Sequence, residues 1–388
     1  MKPEPFALER WMTTWETKTP YDIAESGIFP MTMRELLDLV PPEQRETTLS
    51  RLLDTRLGYS EACGTLELRS AIAATYRDTR PEEILVTTGA IEANCLLFNT
   101  LLQAGDHVVA VHPAYQQLYS LPRGLGCEVS LWKLRAENGF QYDLEELEQL
   151  VTPRTRLIVL NTPHNPTGAI LSAADLIRVH RLASSLGARV LSDEAYRWLD
   201  IPGGEPLAPP IKNLGGVGIS VGTLSKPFGL PGLRIGWIAG PAELVASCWG
   251  LRDYVTLSPG KLSDALAVLA VTHRDKIIER THAIVRTNMG AARAWFSKHA
   301  DLVSWTPPRG GLLALMGYSL EIPSLDLSNQ LAEKHGVMLA PGSAFGIEHH
   351  LRLGIGQEPA TFAEGLRRTA TCLDELRAQG IPLRKKTA

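Results

Sequence analysis

The sequence predicts an α/β protein with a parallel sheet covered by helices on both faces, followed by a smaller α+β domain. Three observations support this fold class. Short, almost wholly apolar strands alternate with helices from about Glu61 onward. Beyond Lys261 the pattern changes to long helices with a few strands. The chain has 388 residues and is 44% apolar, so it can bury a large core and divide into two domains.

The elements follow one another in a regular order. In the first part, the sequence predicts helices over 66–76, 90–102 and 173–186 and strands over 83–88, 107–111, 156–160, 188–191 and 217–221. In the second part, it predicts helices over 262–272, 274–299 and 359–379 and strands over 312–316, 337–339 and 350–353. Leu66, Ile72 and Ala73 are expected on one side of the first helix. The predicted division is an N-terminal segment over 1–45 packed on the smaller domain and the active site, a large domain over 46–275 and a small domain over 276–388.

Composition excludes several classes of partner. A net charge of −3 gives no reason to expect nucleic acid or an anionic membrane. The five cysteines are scattered without metal-ligand spacing, so we expect buried thiols and no metal site. The N-terminus lacks an apolar export segment, and no apolar run is long enough to span a membrane. A cytoplasmic protein is therefore expected.

The segment from Gly222 to Trp237 gives the strongest indication of chemistry. An apolar strand leads into Thr223 and Ser225, then Lys226, and Arg234 follows eight positions later. A lysine can form a Schiff base with a carbonyl group, and the hydroxyls and the guanidinium can hold an anion beside it. This combination favours pyridoxal 5'-phosphate, whose aldehyde takes the lysine and whose phosphate takes the neighbouring donors. A solvated loop lysine is the alternative for Lys226 alone.

Polar residues also follow the other strands, at the sheet edge where ligands bind in such folds. After the strand over 83–88, Gly89, Ala90 and Ile91 open a helix whose free amides suit a phosphate. Tyr115 follows the strand over 107–111, where it can stack on an aromatic ring or lie in the core.

Two further strand ends carry an amide and an acid. Asn165 lies in a proline-rich loop that holds it extended. Asp193 follows the strand over 188–191, and a buried acid there needs a cationic partner such as a pyridinium nitrogen. Its neighbour Tyr196 can donate a hydrogen bond to a ring phenolate.

In the order of these motifs, nearly the whole chain resembles the fold-type I, class I/II aminotransferase-like enzymes that depend on pyridoxal 5'-phosphate. The resemblance implies the aspartate aminotransferase-like fold, with a mostly parallel seven-stranded sheet between helices and a smaller α+β domain. It also implies a homodimer or homotetramer with shared active sites.

The resemblance assigns a role to each motif residue. Lys226 is the Schiff-base lysine and proton shuttle, Asp193 pairs with the pyridine nitrogen and Tyr115 stacks on the ring; these are the predicted catalytic residues. The other predicted cofactor-binding residues are Gly89, Ala90, Ile91, Asn165, Tyr196, Thr223, Ser225, Arg234 and, from the neighbouring subunit, Tyr59. The predicted substrate-binding residues are Arg352 for the α-carboxylate, Gly27 near it, Asn165, Glu16 and Glu25.

The N-terminal acids bear on substrate choice, because this segment borders the substrate pocket in the family. Glu16 and Glu25 lie among aromatic residues just before Gly27. Carboxylates there suit a cationic side chain, and a guanidinium matches a forked acceptor best. A solvated acidic edge is the alternative. Arg309, beside two glycines, is interpreted as a structural residue that turns the chain before a strand.

Five segments are also similar to the capreomycidine synthase branch, whose members process an arginine derivative by elimination and ring closure: 8–11, 137–140, 222–237, 252–258 and 308–311. The chain departs from that branch at 193–196 and around Glu25. The leading hypothesis is therefore a carbon–oxygen lyase that eliminates hydroxyguanidine from Cγ of canavanine and forms homoserine. The alternatives are a class I/II aminotransferase, a capreomycidine synthase-like cyclase, and a non-catalytic effector-sensing module, for which a basic DNA-binding region is missing from the N-terminal segment.

Overall fold

The computed structural model describes residues 2–384, so the outermost residues of the predicted N-terminal segment and small domain, 1 and 385–388, lie outside it. The α-helices of the described chain are α1 (Ala7–Trp15), α2 (Met33–Asp38), α3 (Pro42–Leu53), α4 (Leu66–Ala73), α5 (Ala90–Leu101), α6 (Gln117–Gly124), α7 (Leu144–Leu150), α8 (Ala173–Leu186), α9 (Ala242–Arg252), α10 (Lys261–Thr272), α11 (Arg274–Lys298), α12 (Ser324–His335) and α13 (Pro359–Ala378). Its strands are β1 (Tyr21–Asp22), β2 (Ile84–Thr87), β3 (His107–His112), β4 (Glu128–Lys133), β5 (Thr155–Asn161), β6 (Arg189–Asp193), β7 (Gly218–Thr223), β8 (Gly236–Ala239), β9 (Val303–Trp305), β10 (Leu313–Tyr318), β11 (Val337–Met338), β12 (Ala340–Pro341) and β13 (His350–Gly354).

The central sheet has seven strands in the order β2-β8-β7-β6-β5-β3-β4. Strand β8 runs antiparallel to both of its neighbours, and the other pairs are parallel. Successive residues of β5 point to opposite faces: Leu157 packs in a cluster with α5 and α9, whereas Ile158 packs in one with α7 and α8. Both faces are thus covered, which is why the strands are almost wholly apolar. The predicted mostly parallel, seven-stranded sheet is confirmed.

Most predicted elements agree with the structure to within a few residues, and three differences have physical reasons. Strand β4 was missed because it is an edge strand with half-buried and exposed residues. Strand β8 was missed because it has only four residues and begins at a glycine. In α4 the expected grouping of Leu66 with Ile72 and Ala73 does not hold: Leu66 is 54% exposed, whereas Ile72, Ala73 and Leu68 are buried.

The C-terminal part contains an antiparallel sheet in the order β12-β13-β10-β9. Helices α11, α12 and α13 contribute to the apolar core on this sheet. The N-terminal segment packs on the same part, since β1 pairs in parallel with β11 and α1 contacts β12. The indole nitrogens of Trp11 and Trp15 both donate to Oδ1 of Asn329 on α12, at 3.0 and 3.2 Å. The domain bounds at 45/46 and 275/276 stay a prediction.

Within residues 2–384, no helix combines the length and the apolar character that crossing a membrane requires. The same residues include no group of three or more His, Cys, Asp or Glu side chains arranged to hold a metal ion.

Candidate active site

A cavity of about 360 Å³ opens at the carboxyl ends of β5, β6 and β7, where it is also bordered by α1 and the segment after β1. The structure therefore brings together residues that are far apart in the sequence. The predicted site residues that line the cavity are Glu16, Glu25, Ala90, Ile91, Tyr115, Asn165, Asp193, Tyr196, Thr223, Ser225, Lys226, Arg234 and Arg352. Gly27 and Gly89 lie beside it, against Lys226 and Arg234 respectively.

Lys226 lies in the loop that follows β7. Its Nζ donates to Ser26 Oγ at 2.6 Å and to Glu25 Oε1 at 3.3 Å. Burial disfavours the charged amine, but the carboxylate of Glu25 and the hydroxyl of Tyr196 outweigh it, and the pKa of Lys226 is raised. Conversely, the charge of Lys226 holds the pKa of Glu25 below its usual value. The lysine nitrogen is thus already surrounded by groups that favour its ammonium form.

Asp193 ends β6 with a buried carboxyl group. Its Oδ2 accepts a hydrogen bond from Asn94 Nδ2 at 2.9 Å, and its Oδ1 accepts one from the amide of Ala195 at 3.1 Å. Burial raises its pKa. Within residues 2–384, no Lys, Arg or His side chain forms an ion pair with it. A protonated pyridine nitrogen would supply the missing positive charge, so Asp193 fits the cofactor.

The N-terminus of α5 forms an anion cradle with the loop after β7. Gly89 precedes the helix with φ of 78°, and a Cβ there would lie 2.7 Å from Arg234 Nη2. Only a glycine allows the guanidinium to approach the helix so closely. Thr223 Oγ1 and Ser225 Oγ lie 3.0 Å apart on the same side of the cavity. Helix amides, hydroxyls and a guanidinium together fit a phosphate.

Arg352, on β13, is 2% exposed. Its Nη1 donates to Asn165 Oδ1 at 3.3 Å and its Nη2 to the carbonyl of Ala24 at 2.8 Å, but its Nε has no hydrogen-bond partner. Among the described residues, no carboxylate lies within ion-pair distance of this guanidinium. A buried cation with a free donor suits a carboxylate ligand.

Three carboxylates from the N-terminal segment also line the cavity: Glu9, Glu16 and Glu25. Glu9 Oε1 accepts a hydrogen bond from the hydroxyl of Tyr115 at 2.9 Å. Burial and the charge of Glu9 together raise the pKa of Tyr115. The ring of Tyr115 also packs against Phe6, 4.8 Å between centroids.

Several cavity residues were not among the sequence predictions: Glu9, Ser26, Asn94 and Asn161. Asn94 gave one signal in the sequence, because it is a polar residue one turn into the helix that the sequence predicts at the phosphate site. For Ser26 and Glu9, the sequence carried no signal beyond their place in the acidic N-terminal segment. Asn161 ends β5, where its Nδ2 donates to the carbonyl of Asp193 at 2.9 Å.

Two residues discussed from the sequence lie away from the cavity. Arg309 pairs with Glu205 on the surface, which agrees with its interpretation as a structural residue. Tyr59 is 85% exposed and does not line the cavity of its own chain. Its predicted contact with a neighbouring subunit stays a prediction.

Comparison with known proteins identifies the family. The sequence profile of aminotransferase class I and II matches residues 28–368. Capreomycidine synthase of Streptomyces vinaceus is 35% identical over 377 residues, covering 93% of this chain and 95% of that protein. Arginine–pyruvate transaminase of Pseudomonas aeruginosa is 29% identical over 347 residues, covering 86% and 87%. A pyridoxal-phosphate-dependent aminotransferase from Streptococcus suis has a similar structure, with a TM-score of 0.91, 36% identity and coverage of 97% and 99%.

These similarities confirm the resemblance inferred from the motifs, both to the family and to capreomycidine synthase. They also agree with the fit of Asp193 and of the anion cradle to a phosphorylated pyridine. The chain belongs to the class I and II aminotransferase family, with the aspartate aminotransferase-like fold type I and pyridoxal 5'-phosphate as its cofactor.

Proposed function

We propose that this enzyme is a pyridoxal-phosphate-dependent lyase for a guanidino amino acid, and that its reaction is the γ-elimination of canavanine to hydroxyguanidine and homoserine. One observation carries the proposal: a single cavity holds the buried, incompletely bonded guanidinium of Arg352 and the N-terminal carboxylates Glu16 and Glu25. A substrate with a carboxylate at one end and a guanidinium at the other complements both charges.

The chain's own residues divide the work of holding the cofactor. Lys226 would attach to the aldehyde, Asp193 would keep the ring nitrogen protonated, and Tyr115 would pack against the ring. Asn165 and Tyr196 would hold the 3-oxygen, and the phosphate would be held by Gly89, Ala90, Ile91, Thr223, Ser225 and Arg234. When bound, the cofactor withdraws electrons from the α-carbon of the substrate, which makes its proton removable.

The substrate is held at both ends. Arg352 grips the α-carboxylate beside Gly27 and Asn165, and this grip fixes which α-carbon bond faces Lys226. As a free amine, Lys226 would offer an Nζ that can take the α-proton and then a proton from the β-carbon. One of the N-terminal acids, Glu16 or Glu25, receives the guanidinium of the substrate. Tight positioning of both ends supplies much of the specificity.

The leaving group distinguishes canavanine from arginine. In canavanine the guanidino group is attached to Cγ through oxygen, whereas arginine has carbon at that position. Breaking the Cγ–O bond releases hydroxyguanidine. One water molecule supplies the hydroxyl of homoserine and the proton of hydroxyguanidine, so the reaction consumes no second organic substrate.

The proposal includes the assembly and the location. Tyr59, exposed on the single chain, is assigned to the phosphate site of a neighbouring subunit. We therefore propose a homodimer or homotetramer with shared active sites. The cytoplasmic location predicted from the sequence is part of the same proposal.

A second candidate is an aminotransferase for a cationic amino acid. The family profile and the similarity to an arginine–pyruvate transaminase favour it. Its chemistry differs in one testable respect, because a transaminase requires a 2-oxo acid as amino-group acceptor.

The deciding experiment supplies the holoenzyme with canavanine and no 2-oxo acid. The lyase is expected to release homoserine and hydroxyguanidine in equal amounts over many turnovers, and to release neither from arginine. A reaction that stops at one equivalent per site, and resumes with pyruvate or 2-oxoglutarate, would overturn the lyase and support the transaminase. A cyclic product from a hydroxylated arginine would support a cyclase. Lys226→Ala serves as the inactive control.

A further inference from the structure

The carboxylate of Glu25 lies beside the reactive lysine rather than at the far end of the cavity. Its Oε1 is 3.3 Å from Lys226 Nζ. Within residues 2–384, no other carboxylate lies within ion-pair distance of that nitrogen. Ser26 Oγ, the other polar partner of Nζ, is neutral. Glu25 is therefore the charged group in contact with Lys226.

Glu25 is also fixed in place independently of the lysine. Its Oε1 accepts a 2.7 Å hydrogen bond from the amide of Gly27, and its own amide donates to Asp22 Oδ1 at 3.0 Å. A Cβ at position 27 would lie 3.2 Å from Oε1, so the glycine permits this close approach. The hydrogen bond from Gly27 to this carboxylate does not involve Lys226.

Other charged groups also face this pair. Arg352 lowers the pKa of Glu25, as Lys226 does, and the hydroxyl of Tyr196 raises the pKa of Lys226. Asp22 lies next to Glu25, and Asp193 lines the same cavity. Glu9 and Glu16 line the same cavity without contacting Lys226. The side chain of Glu25 is 41% exposed. Its effect on Lys226 therefore depends on the short distance between the two charges.

We infer that Glu25 is a positioning residue that stabilises the proton on the nitrogen of Lys226, which leaves Glu9 and Glu16 to receive the guanidinium of the substrate. This inference rests on the proposed attachment of the cofactor to Lys226, and it does not depend on canavanine as the substrate. When Nζ takes the α-proton of a substrate, it becomes an ammonium. The anchored carboxylate accepts a hydrogen bond from that ammonium and holds the proton where it can be returned to carbon.

The test is a pH titration of the cofactor's absorbance in the resting holoenzyme, since the absorbance reports whether the linked nitrogen carries its proton. Glu25→Gln keeps the size of the side chain and its acceptor for the amide of Gly27 but removes the charge. Its titration midpoint is expected to lie about one pH unit or more below that of the unmodified enzyme. Glu16→Gln is the matched control and is expected to leave the midpoint unchanged.

A Glu25→Gln midpoint equal to that of the unmodified enzyme would overturn the inference, as would an equal shift in Glu16→Gln. If Glu25→Gln fails to bind the cofactor, Glu25→Asp decides the matter, because it keeps the charge but moves it away from Nζ. A lower midpoint in that variant supports the inference, and an unchanged one overturns it. No substrate is added in this titration, so its result can be interpreted even if canavanine is not the substrate.

Discussion

The amide of Asn94 donates a 2.9 Å hydrogen bond to Asp193, and this bond joins the first turns of α5 to the end of β6. The second carboxyl oxygen of Asp193 is held by the amide of Ala195. A helix that helps to form the anion cradle therefore also aims the carboxylate assigned to the ring nitrogen. Under the proposed assignment, one rigid element would position both ends of the cofactor.

Replacing Asn94 is expected to weaken cofactor binding. In Asn94→Ala, Asp193 loses a buried hydrogen bond, which costs on the order of 1–3 kcal/mol and corresponds to about a tenfold rise in the cofactor's Kd. Equilibrium dialysis with pyridoxal 5'-phosphate measures the change. Asn99→Ala is the control, because Asn99 is on the same helix but donates to the carbonyl of Cys95. An equal effect of both substitutions would show that Asn94 matters only for the helix.

Replacing Arg352 is expected to weaken the grip on the α-carboxylate. Arg352→Lys keeps the charge but loses the fork of donors, so KM for the amino acid should rise at least about tenfold. Steady-state kinetics with the amino acid substrate measure this. Arg309→Lys, on the surface pair with Glu205, should leave KM within about twofold. An unchanged KM in Arg352→Lys would contradict the assigned role.

Glu16 is expected to contribute to the choice of side chain. Glu16→Gln should raise the Kd of arginine, bound as a substrate analogue, by about fivefold or more, because a charged hydrogen bond becomes a neutral one. The Kd of norleucine, which has no cationic group, should not change. Cofactor absorbance measures both constants. The exposed Glu137 provides the control, as Glu137→Gln. Equal losses for arginine and norleucine would rule out a specificity role.

Gly222 is expected to be essential for packing. A Cβ at this position would lie 2.3 Å from the buried ring of Trp237, so Gly222→Ala should lower the free energy of unfolding by about 1–3 kcal/mol. Gly250→Ala has open space and lies within α9, so it should stabilise by about 0.5–1 kcal/mol. Urea denaturation at fixed protein and cofactor concentrations compares them. Similar midpoints for the two variants would contradict this packing.

Asp22 is expected to make stability depend on pH. Burial and the charge of Glu25 raise its pKa from 3.8 to about 6, so the folded protein holds this proton more tightly than the unfolded chain. Stability due to this group is present below pH about 4 and is lost as the pH rises towards 6. Asp22→Asn keeps the acceptor for the amides of Ala24 and Glu25 and cannot lose a proton.

The Asp22→Asn variant should therefore unfold at higher urea concentration than the unmodified protein above pH 6, by about 2 kcal/mol in free energy. The difference should shrink towards zero near pH 4. Urea denaturation at several pH values between 4.5 and 8 gives the comparison. A difference that is constant over this range would show that the carboxyl does not titrate as described.

Many of the residues that the sequence placed in the cavity follow a recognisable strand, whereas Glu16, Glu25 and Arg352 were placed there by the family resemblance. Asp193 and Lys226 come directly after apolar runs, and parallel strands bring such ends to one edge. Asn94 and Ser26 could not be predicted from the sequence, because their importance depends on contacts with Asp193 and Lys226, which are distant along the chain. Tyr59 needs a second chain to be tested.

The fold was predictable wherever local pattern and tertiary environment agree. Strand β7 is buried along its whole length and was found, whereas β4 on the sheet edge lacks that apolar signal. Leu66 matched the helical spacing but lies outside the core. The contacts of α4 with α10 determine which of its residues are buried, and the spacing of apolar residues along α4 does not. Strand β8 lies antiparallel between β2 and β7, and its four residues carry no sequence pattern that predicts this position.

The shared hydrogen bond of Trp11 and Trp15 to Asn329 has a practical consequence for protein engineering. Helix α1, which bears Glu9, is attached to α12 by the hydrogen bonds of these two indoles. It therefore cannot be replaced by the corresponding helix of a homologue on its own. A chimera that takes the N-terminal segment from a homologue would also have to take the C-terminal part of that homologue. Otherwise the transferred acids would be misplaced relative to the cavity.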